Sequence, residues 1–266
     1  MPLLRRQAHP SRFRGQGLRR RAALALVAGV GGAAWLGAPI LRRVLTPEPA
    51  YEPIPGLDGF RRVASGSVSG GNPALQGIDA PRRPATMDTI CAHLFDAPLP
   101  EGPVPIAYFS DARCVFCREL SPLLHEIEDS APVAVTWHEY PLLGPASQRA
   151  ARATVAAGMQ GAQRAFHDRL MGTPFLPNDA YLRELATEAG INPDRLLRDM
   201  ASDAVTVHLE RTARVGRAFG FRGTPALVVG RTAVLGQVSE RRLRALVAQE
   251  RRADAPFPCR RGRVLR

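Results

Sequence analysis

Lysine is missing altogether: all 36 basic residues are arginine. That absence reads as genome composition, not as a surface built for phosphate. Aromatic residues are scarce too, at 6%, whereas a protein that grips nucleic acid interleaves stacking rings with its positive charge. The net charge of +12 is also badly placed for that role. Residues 1–43 hold nine Arg and no acid, residues 241–266 hold nine Arg against two acids, and the body between them is mildly acidic. The balance argues against nucleic acid as a partner. Cysteine is the third scarcity: Cys91, Cys114, Cys117 and Cys259 are the whole complement, with a single C-x-x-C. A structural zinc site needs further ligands at close spacing, and only His93 lies within four residues of Cys91 or Cys259. A metal-handling C-x-x-C module would call for Met, His or Cys beside the motif, and His125 is its one neighbour of that kind. No metal site and no cofactor are expected.

What the chain does have is one stretch around which the rest is organised. Val104 to Ser110 is an apolar, aromatic run of strand length, followed by the polar turn Asp111-Ala112-Arg113 and then Cys114-Val115-Phe116-Cys117. Leu120, Leu123, Leu124 and Ile127 repeat at i, i+3, i+4 and i+7, the stripe of a helix packed on one face. The two cysteines therefore fall on the first turn of a helix that follows a buried strand. Unpaired N–H groups and the helix dipole favour a thiolate there, and a cysteine one turn on can close a small disulfide. The expectation is a dithiol/disulfide redox centre, with Cys114 accessible and Cys117 more buried.

Taken in order, the chain opens with an export segment. Seven Arg precede twenty uncharged residues, Ala22 to Leu41, and Arg42-Arg43 close the run. That length crosses a bilayer, and the heavier positive flank sets the N-terminus in the cytoplasm. An uncleaved anchor is preferred, with a signal cleaved near Gly32-Ala33-Ala34 or a twin-arginine signal at Arg19-Arg20-Arg21 as alternatives. The remainder is then extracytoplasmic, where disulfides persist. Residues 44–88, rich in Pro and Gly, read as a tether with a short strand near Phe60 to Val63.

A short amphipathic segment, Met87 to Leu94, precedes the strand–C-x-x-C–helix unit, in which Pro122 should kink the helix. Val133 to Tyr140 is a second, β-rich strand, parallel to the first across a right-handed crossover. Residues 145–219 read as helices throughout, a helical insertion. Next come Gly223-Thr224-Pro225, a hairpin of Ala226 to Val229 and Thr232 to Leu235, and a last helix capped by Ser239 and running to about Arg251. Residues 256–266 form a basic tail. Pro225 before a buried strand is a candidate for a cis peptide bond.

In order and spacing, Tyr108-Phe109-Ser110-Asp111 before Cys114-Val115-Phe116-Cys117, then Tyr140-Pro141-Leu142-Leu143-Gly144, then Phe219-Gly220-Phe221-Arg222-Gly223-Thr224-Pro225-Ala226 resemble the DsbA-like family of exported thiol–disulfide oxidoreductases. The resemblance covers about residues 89–251. It implies an α/β thioredoxin-like fold with an inserted helical subdomain (about 145–219) inside a domain of 89–255. It also implies Cys114 as the attacked sulfur, Cys117 as the resolving thiol, a cis Pro225 facing them, and substrate contacts at Thr224, Pro225, Val115 and Phe116. The implied partners are reduced or unfolded exported proteins and a redox partner that resets the disulfide; the chain is expected to be a monomer.

The strongest oxidases of the family carry Pro-His where this chain has Val115-Phe116, so a milder oxidant is expected, between roughly −220 and −120 mV. Arg113 and Arg118 could compensate by charge, although solvated arginine is the preferred reading. Thr224 resembles the residue at that place in disulfide isomerases; oxidase is the first reading, isomerase or reductase the second. His138 and Asp111 could relay protons, but a satisfied core histidine and a turn cap are preferred. Cys91 and Cys259 remain, and compartment and parity favour a second, structural disulfide over two free thiols.

Overall fold

In the computed structural model the described residues are 50–63, 66–70, 85–96, 102–173, 178–253 and 257–259. The arginine-rich leader, the 22–41 run, residues 71–84 of the tether and the tail beyond Cys259 lie outside them. All the described residues belong to one compact unit, Ala50–Arg266.

The apolar run forms β3 (Val104–Ser110), and every residue of it except Pro105 is buried. It pairs in parallel with β4 (Val133–Glu139) and antiparallel with β5 (Ala226–Val229), which turns back into β6 (Thr232–Leu235). Parallel strands need a crossover between them, and α2 (Val115–Ser130) supplies it, with Pro122 inside.

Successive side chains of a strand point to opposite faces, so β3 serves two cores. Ile106 and Tyr108 join Cys114, Cys117, Leu120 and Leu124 of α2 together with Leu243 and Leu246 of α8 (Glu240–Arg251). Ala107 and Phe109 join Ile90 and Leu94 of α1 (Met87–Leu94), Val215 of α7 (Asp203–Ala218), and Cys259. The insertion α3 (Pro145–Gly158), α4 (Gln163–Gly172), α5 (Asp179–Glu188) and α6 (Pro193–Met200) buries a third cluster of its own, including Phe166, Leu170, Leu182 and Leu196. Its helix starts are local chemistry: Asn178, Asn192 and Ser202 each accept the backbone N–H three residues on, and Pro193 takes the first turn of α6.

The tether reading needs correction over residues 50–63. β1 (Glu52–Pro53) and β2 (Arg61–Val63) extend the sheet, giving the order β1-β2-β6-β5-β3-β4, with β2 parallel to β6. Ile54, Leu57 and Phe60 are buried. Arg61 reaches Glu250 of α8 at 3.0 Å. Burial opposes ionisation of Glu250, but hydrogen bonds from Thr232, Arg231 and Arg61 outweigh it and hold its carboxyl below the usual range. The edge of the sheet is thus tied to the last helix.

Candidate active site

Cys114 is the N-cap of α2. Its Sγ accepts the Cys117 N–H at 3.1 Å, and its own N–H donates to the Asp111 carbonyl at 2.9 Å. A hydrogen bond to sulfur from the first turn of a helix favours the thiolate form. Cys114 and Cys117 form a disulfide with Cα atoms 5.2 Å apart. Both cysteines show 0% exposure, which corrects the expectation of an accessible Cys114. Val115 is 56% exposed, and Phe116 packs at the rim of the core.

Asp111 holds the turn before the motif. Its carboxylate is buried and accepts from Arg113 N (2.9 Å), Leu142 N (2.8 Å), Leu143 N (3.0 Å) and Ser147 Oγ (2.7 Å). One side chain therefore joins the C-x-x-C turn to the Tyr140–Gly144 block and the start of α3. Arg118 is likewise used up by backbone: it donates to Met171 O, Thr173 O and Ala112 O at 2.8–2.9 Å. Arg113 is exposed and reaches Leu143 O at 3.4 Å.

The Thr224–Pro225 peptide is cis. Phe109 lies opposite Ala226 in the antiparallel β3–β5 register, so Pro225 falls level with Ser110, the last residue of β3, and Thr224 continues beyond it on the side of the turn that leads to Cys114. Thr224 has 0% exposure; both its backbone N–H and C=O are bonded to Ser69, and its buried Oγ1 has no hydrogen-bond partner among the described residues.

His138 sits behind this end of the sheet. Its Nε2 lies 3.0 Å from Leu94 O, its ring stacks on Phe109, and burial pushes its pKa down to about 4, so it is neutral at pH 7. Cys91 of α1 and Cys259 form the second disulfide on that face, Cα atoms 5.0 Å apart.

Sequence reasoning missed a buried polar chain under α2. Glu139 Oε1 lies 2.8 Å from His167 Nδ1, His167 Nε2 lies 3.2 Å from Ser121 Oγ, and Ser121 lies 3.2 Å from Tyr108 OH. Tyr108 in turn donates to the Cys117 carbonyl at 3.2 Å. Burial drives the Tyr108 phenol above its ordinary range despite the Ser121 bond, which keeps it a donor. Ser121 lies one helical turn beyond Cys117, a spacing that could have flagged it; Glu139 and His167 come from distant elements and carried no signal. Among the described residues no three His, Cys, Asp or Glu side chains group as they would around a metal ion.

A family model described as a DSBA-like thioredoxin domain matches residues 105–248. The chain belongs to that family. DsbA-like domains of this kind are thiol–disulfide oxidoreductases, and the chain is an oxidoreductase enzyme of that fold. Among solved structures, a thioredoxin-like oxidoreductase from Silicibacter pomeroyi DSS-3 is 34% identical with a TM-score of 0.56, covering 62% of this chain and 98% of that one. A periplasmic thioredoxin-like protein from Salmonella enterica serovar Typhimurium is 25% identical with a TM-score of 0.54, covering 62% and 97%. The thiol-disulfide exchange protein alpha-DsbA2 from Wolbachia pipientis, 20% identical with a TM-score of 0.55 over 61% and 94%, shares the fold. Over 132 residues the chain is also similar, at 28% identity, to a Na(+)/H(+) antiporter, NhaA 1 of Salinispora arenicola (strain CNS-205). That match spans 48% of this chain and 20% of the antiporter.

Proposed function

We propose that the domain oxidises dithiols in exported proteins. A substrate thiolate attacks Cys114 Sγ, the Cys114–Cys117 bond breaks, and Cys117 leaves as a thiolate that takes up a proton. The substrate's second thiolate then attacks its own sulfur in the mixed disulfide and releases Cys114. The substrate loses two electrons and two protons, and the enzyme holds them as a dithiol until a redox partner, membrane-bound or soluble, removes them. The single observation that carries this reading is Cys114 at a helix N-terminus, its sulfur hydrogen-bonded by the Cys117 N–H, since that bond favours Cys114 as the leaving thiolate in the second step. Val115, Phe116, Thr224 and Pro225 would frame the substrate, and Cys91–Cys259 would be structural.

We place the enzyme outside the cytoplasm, tethered by the 22–41 segment. A periplasmic relative of the same fold and a second disulfide remote from the motif both support that compartment. The test is oxidation of a reduced two-cysteine peptide by the purified protein. Turnover should vanish in Cys114→Ser while the melting curve stays close to that of the unaltered chain; oxidation persisting in that variant would sink the assignment. Rearrangement of a scrambled disulfide substrate at a rate exceeding net oxidation would replace oxidase by isomerase.

A further inference from the structure

We propose that residues Gly66–Gly70 are a displaceable strap over the active site, and that an extended substrate backbone opens the site by taking the strap's place at Thr224. The inference rests on the thiol-exchange reading and adds a device that regulates it.

Cys114 has no exposed surface, yet attack on a disulfide requires a thiolate to reach its sulfur. The described conformation is therefore closed, and some element must move before exchange. Among the described residues, the strap is bonded to the backbone at this end of the sheet through Thr224. Ser69 N–H donates to Thr224 O at 2.8 Å and Thr224 N–H to Ser69 O at 2.9 Å, an antiparallel bridge. Further back, Gly66 N–H donates to Leu235 O at 2.9 Å and Gln237 N–H to Ser67 O at 2.8 Å.

The fit is close on both sides. A side chain at Gly66 would drive into the Gln237 carbonyl, and a Cβ at Gly223 would stand 3.0 Å from both Ser69 O and Val68 Cβ. Yet no residue from Gly66 to Gly70 is buried, and Val68 is 37% exposed. Backbone hydrogen bonds hold the strap, with little apolar burial behind them, so it is cheap to lift relative to any helix packed on the sheet.

Its partner residue is the opposite case. Thr224 is wholly buried with the strap in place, and lifting the strap alone exchanges its two backbone bonds for bonds to water. The strap is therefore replaced most readily by another chain that offers an N–H and a C=O at the same spacing. An unfolded, extended polypeptide does so by strand exchange; a folded protein without a free extended segment, or a small thiol reagent, does not. The exchange selects for extended chains before any sulfur chemistry occurs.

The test uses the full chain, reduced, with iodoacetamide as a probe that carries no peptide backbone. Ser69→Pro removes one donor of the bridge, and Gly66→Val displaces the upstream end. Each should raise the alkylation rate of Cys114 by about fivefold, the factor expected for one lost hydrogen bond. Val68→Ser should leave it unchanged. Folded Ser69→Pro and Gly66→Val variants alkylated at the unaltered rate would overturn the strap. Should neither variant fold, amide exchange on the unaltered chain decides: the Ser69 and Thr224 amides should lose protection together with the onset of Cys114 alkylation, below global unfolding. Cys114 reacting while both amides stay protected would overturn the proposal. A fivefold gain in alkylation with no oxidation of a dithiol peptide by any form of the protein would leave the strap standing and remove the oxidase reading.

Discussion

Cys114–Cys117 bridges a separation of three residues at the start of a helix, whereas Cys91–Cys259 bridges 168. In the chain-entropy account, a bond removes freedom from the unfolded chain in proportion to the logarithm of the loop it closes. The short bond therefore constrains little, and its opening and closing hardly disturb the fold. The long bond fastens α1 to the stretch beyond the last helix, where Phe95 and Phe257 also meet, and it constrains the whole domain between. In the proposed reaction the short bond is the one that opens and the long bond the one that stays closed, a division set by what each loop encloses more than by the sulfur chemistry.

The sharpest way to break that contrast is to remove each pair in turn and read both activity and stability. Cys114→Ser should take exchange to background while shifting the melting temperature little. The double variant Cys91→Ser/Cys259→Ser should do the reverse, keeping the rate of peptide oxidation while losing about 2–5 kcal/mol in denaturant titration. Loss of oxidation in a folded double variant would show that the pairs are not divided in this way.

Acid should separate the two faces of the sheet. His138 bonds to the carbonyl end of α1, the helix of Cys91. It takes a proton near pH 6.5 when unfolded but only near 4 in the fold, because burial disfavours the cation. Between those values the unfolded chain binds the extra proton, so stability is full above pH 6.5 and falls as pH drops toward 4, by up to about 3 kcal/mol. His138→Gln should flatten that slope; an unchanged slope would mean another group governs it. The smallest effect concerns the exchange face: Phe116→His adds a donor between the cysteines and should raise the potential, measured against glutathione, by about 30 mV, equal to about 1.4 kcal/mol.

Local chemistry made much of this legible before any coordinates. The C-x-x-C helix, the Ala226–Leu235 hairpin and the cap at Ser239 fall where periodicity and capping residues put them, because each is decided within a few neighbouring positions. Asp111 bonds within its own turn, as a turn cap would, but other donors gathered on it come from a loop thirty residues away, and His138 is a buried histidine bonded to Leu94 O. What stayed hidden was nonlocal. β2 pairs with β6 across about 170 residues, and nothing in Arg61-Arg62-Val63 announces that register. The Ser69–Thr224 bridge uses backbone alone, so side-chain identity could not reveal it. The Glu139–His167–Ser121–Tyr108 chain takes its members from four elements, and the burial of Cys114 follows from how separate segments meet there.

The alternation along β3 has one more consequence, for how the molecule avoids damaging itself. Four cysteines admit three complete pairings, and two of them would join a sulfur of the C-x-x-C pair to Cys91 or Cys259. Ile106 and Tyr108 turn toward one thiol pair, Ala107 and Phe109 toward the other, so a chain that has laid down this strand has sorted its sulfurs into two compartments. Direct transfer between them would have to pass through the sheet. In the proposed reaction the exchanging pair is thereby insulated from the second bond: mixed disulfides with foreign chains would form without unfastening Cys91–Cys259.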